Sequence, residues 1–366
     1  MKFTCERSVL LKEIAIAQEI ISSKNAISIL SNIYLEAEQD TLSIKATDIK
    51  VNFETKVPVI VIEPGSTTVF GDKFLGILNS IPEGELEFEQ VDMKITIQPT
   101  LKKIRFQLKS IASEKFPEFP VPYVEHSFEM PARDFKAMIL QTIFAVSDDE
   151  TRYFMNGVFF EKTEDKIIMV ATDGRRLAYI SKALDQGIPV FSGIIIPPKI
   201  LQIILKRAGD EGLVSISVTD KNIFIQFGSY NLSSVLIEGQ FPNYHRVIPE
   251  SQSYSFIVNR LEMLDALKRV SLLVEQKSHR VYLGLSSETL AVYSEESDIG
   301  TAKEEIPCKY QGEAVSIALN YRYLEEPFKV MDDKDICIQF TEATRAITIM
   351  PDPPQDFFHI VMPMQL

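Results

Sequence analysis

Along the chain the apolar positions switch repeatedly between a spacing of two and a spacing of three to four. Lys2 to Glu6 alternates, and Val9, Leu10, Ile14, Ala17 and Ile21 then recur at helical intervals, which predicts a strand running into a helix. Strands follow at Ile33 to Glu36 and Leu42 to Ala46, joined by the polar turn Glu38-Gln39-Asp40, and a longer one covers Lys50 to Val61. A second short helix is predicted over Asp72 to Ser80, with Asp72 placed to cap it and Pro82 to Gly84 to stop it. Glu85 to Phe88, Lys94 to Gln98 and Ile104 to Leu108 close the block as strands.

The same order of elements returns. Phe3 and Phe128, Ala46-Thr47-Asp48 and Ala171-Thr172-Asp173, and Phe116-Pro117 and Phe241-Pro242 are each 125 residues apart. A third copy is fainter: Ser255-Phe256-Ile257-Val258 with Leu261, Leu264 and Leu267 echoes Ser127-Phe128-Glu129-Met130 with Phe135, Met138 and Ile139. A chain of 366 residues is therefore read as three tandem domains, 1–121, 122–250 and 251–366. Helices are predicted near Ala132 to Val146 and Pro198 to Lys206 in the second, and near Arg260 to Val274 and Tyr321 to Phe328 in the third, where Pro327 belongs at an end. Two helices with many antiparallel strands per copy give an α+β class, with helices covering one face of the strands. Phe116 to Pro122 and Phe241 to Glu250 read as short linkers.

Charge and composition exclude several functions. The net charge of -13 argues at first against nucleic acid, and no apolar run reaches the roughly 20 residues of a spanning helix. Nothing resembles a secretory leader, and Cys5, Cys308 and Cys337 form no CxxC pair, which suits buried thiols in a reducing cytoplasm. No glycine-rich phosphate loop is present. The four histidines, His126, His245, His279 and His359, lack metal-ligand spacing and read as surface or interface residues. Ser147 to Glu150 reads as a solvated acidic turn after a helix, so neither metal nor cofactor is expected.

Asp173-Gly174 makes a natural tight turn, but Arg175-Arg176-Leu177-Ala178 sets two cations beside apolar residues at a strand entrance. Phe241 to Val247 has the same mixture, as has the Met-rich end Val361 to Leu366, for which fraying is the plain alternative. Through these strings, and through Met1-Lys2-Phe3-Thr4, the chain resembles the β subunits of bacterial DNA polymerase III, the β sliding-clamp family, from end to end. The resemblance implies the DNA clamp fold: antiparallel sheets outside, two helices per domain facing the channel, and a head-to-tail homodimeric ring around duplex DNA that tethers the replicative polymerase. It also implies a groove for short apolar peptides of the polymerase, clamp loader and repair proteins. Carried over position by position, Met155, Thr172, Gly174, Arg175, Arg176, Leu177, Pro242, Arg246, Val247, Tyr323, Ile360 and Met362 would line that groove, which the resemblance places between the second and third domains.

The charge map agrees with a ring. Thr100 to Lys109 carries +4 through Lys102, Lys103, Arg105 and Lys109, whereas Glu288 to Glu305, Asp298 included, carries -5. Edges of opposite sign favour a heterologous contact. By resemblance, Phe106 and Leu108 would meet Leu272 and Leu273 of the other subunit. The six helical segments total +5, which leaves -18 elsewhere: a mildly basic lining inside an acidic shell. By correspondence with the family, Lys24, Lys73, Arg152, Tyr153, Lys199 and Lys206 are the residues expected to face DNA, while Asp72 and Asp148-Asp149 stand where the family is usually basic or neutral, which predicts weaker direct contact than in relatives with a more basic channel. Two other readings compete: a peptide-binding scaffold that does not encircle DNA, and a hydrolase around Asp173, Arg175 and Arg176, which lacks a nucleophile and base.

Overall fold

The computed structural model describes residues 1–21, 28–122, 127–164, 166–183 and 187–365, so Lys24 and His126 lie outside the described residues. Among the described residues there are six α-helices: α1 (Arg7–Ile20), α2 (Gly71–Ser80), α3 (Ala132–Leu140), α4 (Pro198–Arg207), α5 (Arg260–Val270) and α6 (Tyr321–Val330). Four differ from expectation. Asp72 lies in the first turn of α2, not at its cap, where its carboxylate still complements the helix dipole. Helix α3 ends at Leu140, and α5 ends at Val270; each gives way to a 3₁₀ turn, at Ile143–Ala145 and Ser271–Leu273. Helix α6 continues past Pro327, which forfeits one helical hydrogen bond three residues before the end.

Compactness divides the chain into two units, Met1–Arg133 with Lys199–Leu236 and Asp134–Pro198 with Ile237–Leu366. The first holds two antiparallel sheets. One has five strands in the order Ile60–Glu63, Lys2–Glu6, Glu85–Val91, Lys94–Pro99, Phe106–Lys109. The other has eight: Ser127–Pro131, Leu213–Val218, Asn222–Phe227, Tyr230–Val235, Val51–Pro58, Thr41–Thr47, Asn32–Glu38, Gly65–Phe70. The single strand expected over Lys50 to Val61 is thus two strands in two sheets. Pro58 closes the first, and the amide of Val59 turns to the carbonyl of Asp40, 3.0 Å away.

The second unit is built on one twelve-stranded antiparallel sheet. Its order is Ile194–Ile196, Val158–Thr163, Lys166–Thr172, Arg176–Ala183, Phe357–Val361, Ile347–Asp352, Asp335–Phe340, Tyr254–Asn259, Lys303–Tyr310, Thr289–Tyr293, Arg280–Ser286, Val315–Asn320. Both large sheets run across the junction of two sequence repeats. Leu232 pairs with Phe53 in one and Leu177 with Ile360 in the other.

Helix α1 shows how the pattern becomes packing. Leu10, Ile14, Ala17 and Ile20 fall on one stripe and are buried, and Phe74 of α2 meets Phe88 edge-on beside the stacked Phe3–Phe88 pair. Each such ring withdrawn from water contributes about 1.5–3 kcal/mol. Glu13 is the exception on the stripe: it is 5% exposed, and its carboxylate accepts a 3.0 Å hydrogen bond from the Tyr230 hydroxyl. Burial, then the Glu13 charge, pushes that phenol up to about 12. Tyr230→Phe is expected to destabilise this unit by about 1–3 kcal/mol, because a buried carboxylate loses its donor. Adding Glu13→Leu should recover most of the loss in denaturant unfolding; equal instability of the single and double variants would refute this account of the pair.

Candidate functional site

The densest set of predicted site residues is built on the hairpin Lys166–Thr172/Arg176–Ala183. Asp173 organises its turn: Oδ1 accepts from the amides of Arg175 and Arg176 at 2.9 and 3.1 Å. Gly174 takes φ +87°, a backbone conformation that favours glycine, whereas the nearest atom to an added Cβ, Arg152 Nη1 at 2.9 Å, ends a flexible side chain that could move aside. The repeat-related turn keeps the aspartate geometry, with Asp48 Oδ1 accepting from Lys50 and Val51 at 3.0 and 2.7 Å. There Ile49 holds φ +79°, a strained conformation for a β-branched residue, with its side chain exposed.

Arg176 and Arg175 differ in what they can do. Arg176 is nearly enclosed: Nε donates to Asp173 at 3.1 Å, Nη2 donates to the Phe144 carbonyl at 2.6 Å, Nη1 pairs with Glu326, and the guanidinium lies 4.6 Å from the Tyr323 ring centroid. Its donors are committed to holding the turn against α6, and it offers packing surface more than charge. Arg175 is exposed, and its carbonyl accepts from the amide of Met362 at 2.9 Å. The end of the chain is pinned, because the Met364 amide also donates to Ala318 at 2.8 Å.

Beside the turn lies an apolar floor. Ile168, Val170, Leu177, Ile195 and Ile360 pack with Phe241 and Tyr244 of the second linker, flanked by Phe159, Tyr179 and Phe358. Phe241 stacks on Phe159 at 4.7 Å and Tyr179 on Phe358 at 4.8 Å, and the Tyr244 hydroxyl donates to Glu161. Burial, then Glu161, raises the Tyr244 phenol far above its ordinary value. Of the predicted groove residues, Leu177 and Ile360 form the floor, Thr172 and Met155 are buried, and Pro242 and Tyr323 are half-buried. Gly174, Arg175, Arg246, Val247 and Met362 are exposed, Val247 at 52% and Met362 at 45%. Val247, which follows the 3₁₀ turn carrying Tyr244, and Met362, whose amide bonds to Arg175, leave two apolar side chains exposed on elements next to this core, and such side chains can contact apolar groups of a partner. Phe144, Phe159, Tyr179, Glu326 and Phe358 were not among the predicted residues. The period-two alternation of Leu177 and Tyr179 could have exposed one of them.

The expectation of a surface or interface histidine fails for His359, which is 1% exposed on an interior strand whose last three residues are all buried. Its Nε2 faces Gln141 Oε1 at 3.1 Å, and Gln141 donates its amide to the Val330 carbonyl, so Nε2 carries the proton of a neutral ring. Burial, then the Arg176 charge, pushes the imidazole down to about 3. Nor is the Ser147 to Glu150 turn merely solvated: Ser147 is buried, its amide bonded to the Met155 carbonyl, and Asp149 caps the following 3₁₀ turn. No cluster of three metal-ligating side chains occurs among the described residues.

Lys24 lies outside the described residues, and the other four predicted DNA-facing bases each have an acidic neighbour: Lys73–Asp72 3.3 Å, Arg152–Asp149 2.9 Å, Lys199–Asp48 2.5 Å, Lys206–Glu19 2.8 Å. Tyr153 is exposed beside Arg152. Hydrogen bonds from Thr151 and then Arg152 hold the Asp149 carboxyl below its ordinary value. The basic stretch behaves differently. Lys102, Lys103, Arg105 and Lys109 have no ion pair among the described residues, and Phe106 and Leu108, half-buried, lie on the outermost strand of the five-stranded sheet. Leu272 is 76% exposed, Leu273 is half-buried, and Asp298 is exposed in the turn bridged by Ser297 and Gly300.

Three family profiles cover the chain: DNA polymerase III beta subunit, N-terminal domain over residues 1–120, central domain over 129–243 and C-terminal domain over 245–365. The chain is similar to the beta sliding clamp of Treponema pallidum, with 48% identity over all of both chains, and to that of Escherichia coli K12 at 27% over all of both. Among solved structures, the sliding clamp of Bartonella birtlesii bound to griselimycin aligns over all of both chains with TM-score 0.94 at 27% identity. The Bacillus subtilis DNA polymerase sliding clamp aligns over 100% of this chain and 99% of its own, with TM-score 0.93 at 27% identity.

For His359 the pH window follows from its depressed value. The folded state resists the proton from about 6.5 down to about 3, so the stabilisation is full above 6.5 and is lost as pH falls through that range. At pH 5 the second unit should have lost about 2 kcal/mol from this group. His359→Gln should show a shallower decline between pH 7 and 5 in urea unfolding followed by hydrogen exchange; parallel declines would contradict the assignment.

Proposed function

Because the chain belongs to the DNA polymerase III β-subunit family, the β sliding clamps, we propose that its three clamp domains, 1–121, 122–250 and 251–366, close head to tail with a second copy into a ring around duplex DNA. The protein is a DNA sliding clamp, a processivity factor for the replicative polymerase. The ring reading is supported by the basic stretch Thr100 to Lys109, which runs into the outermost strand Phe106–Lys109 and whose four bases have no ion pair among the described residues, while Glu288 to Glu305 supply the opposite sign. Lys103, Arg105, Phe106 and Leu108 would then face Leu272, Leu273 and Asp298 of the other copy.

Sliding needs proximity to phosphates without adhesion. Lys73, Arg152, Lys199 and Lys206 suit that role, with Lys24 and Tyr153, because each of the four carries a neighbouring carboxylate that lowers its net pull on the backbone. Phosphate contacts carry no sequence information, so movement along DNA is sequence-independent. The chemistry needed is positional and electrostatic; no catalytic group enters it. The three free thiols fit a cytoplasmic protein, and no described helix is long and apolar enough to cross a membrane.

The groove along the 172–177 turn would hold short apolar peptides of the polymerase, clamp loader and repair proteins. Leu177 and Ile360 form its floor, and Arg175, Arg246, Val247 and Met362 its walls. A scaffold that does not encircle DNA would use the same groove, so topology decides between the readings. Loaded on a nicked circle by a clamp loader, the protein should stay bound at salt that suppresses phosphate contacts and leave when the circle is cut; equal release from circle and linear DNA would exclude a ring. For the groove, Met362→Ala should weaken a polymerase-derived peptide about 5- to 30-fold with the dimer mass unchanged, the loss expected when one exposed apolar anchor is removed. An unaltered dissociation constant would remove Met362 from the site.

A further inference from the structure

A cavity of about 800 Å³ lies beneath the first linker, within the range of about 300–1,000 Å³ typical of ligand sites. Tyr34, Phe116, Phe119 and Phe224 supply aromatic walls. Lys45 lies in its lining, with Nζ 5.6 Å from the Tyr34 centroid, 5.9 Å from the Phe119 centroid and 3.5 Å from Glu54. Glu54, Glu114 and Glu118 line the same space, so with Lys45 counted the lining carries -2.

The 125-residue offset shows how the cavity arose. Phe116 and Phe119 stand where the second linker has Phe241 and Tyr244, and Tyr34 stands where Phe159 does, so the aromatic roof is common to both repeats. The floor is not. Lys45, Asn52 and Glu54 replace Val170, Leu177 and Tyr179, and their cross-strand neighbours Ser233 and Asn231 replace Ile360 and Phe358. This polar floor is ordered: Asn52 is 7% exposed, accepts from the Thr47 hydroxyl at 2.6 Å and donates to Ser233 at 2.9 Å.

We propose that this cavity is a second peptide site, specific for an extended segment that carries arginine, with the guanidinium between the Tyr34 and Phe119 rings where the Lys45 ammonium now lies. The seated lysine shows that the cage accepts a cation, and three carboxylates against one ammonium leave room for another. A planar guanidinium stacks on aromatic faces and pairs two-pronged with a carboxylate, which an ammonium cannot do. The exposed amides of Asn231 and Gln226 lie in the lining to meet the guest backbone. The inference is independent of the groove at the second linker, which enters only as a control.

The probe is a fluorescein-labelled, end-capped hexapeptide of alternating arginine and proline, titrated with full-length protein and read by anisotropy; the same peptide with glutamate for arginine is its partner control. The arginine peptide should bind and the glutamate peptide should not. Glu54→Gln with Glu118→Gln should weaken binding at least 10-fold, whereas Glu63→Gln with Glu211→Gln, which removes two exposed acids outside the cavity, should leave it within twofold. Lys45→Met should tighten binding several-fold by vacating the cage, a gain that a misfolded variant cannot produce. The proposal is overturned if neither the unaltered protein nor Lys45→Met binds at millimolar concentration. Equal effects of the two glutamine pairs would reduce the binding to general attraction by an acidic chain, and loss of binding in Met362→Ala would place the peptide in the other groove.

Discussion

Strand pairing across repeat junctions is the constraint on which the rest depends. The strand Tyr230–Val235 closes on Val51–Pro58, and Phe357–Val361 closes on Arg176–Ala183, so neighbouring repeats share sheets and do not merely touch. Each pairing satisfies two strand edges that would otherwise invite association with other chains. Each also fixes, through its register, which side chains meet beneath the linkers: Leu177 beside Ile360, Asn52 beside Ser233. The proposed groove and the polar cavity are two outcomes of one arrangement.

Electrostatics divides the basic residues into two kinds. Those beside helices α1, α2 and α4 and the 3₁₀ turn at Glu150–Met155 have carboxylates within 4 Å, whereas those of Thr100 to Lys109 have no such partner among the described residues. A base already paired attracts a further anion weakly and a base without such a partner attracts it more strongly, so the pull of this chain's cations on anions differs from site to site although the net charge is -13.

Much of this was legible in the sequence, for identifiable reasons. The repeat was visible because Thr47-Asp48 and Thr172-Asp173 build the same turn, and that turn demands the same hydrogen bonds from both. Helix α1 was visible because Leu10, Ile14 and Ala17 hold one face. Shared sheets were not, since Tyr230–Val235 reads locally as any half-buried strand and its partner lies some 175 residues away. The role of Arg176 was half legible: two cations at a strand entrance stood out, but Glu326 and the Phe144 carbonyl, which engage one of them, are remote in sequence. His359 was misread because isolation in sequence says nothing of burial, and only the pairing of Phe357–Val361 turns it inward.

The divergence of the two linker sites bears on how compounds would distribute over the chain. A greasy inhibitor shaped to the aromatic floor around Leu177 and Tyr179 would find the same roof over Lys45 and Glu54, but to settle there it would have to strip water from an ammonium and a carboxylate without replacing it. Two repeat-related sites under one kind of aromatic roof are therefore selective for different guests, the second penalising an apolar compound by desolvation and by the apolar neighbours it lacks.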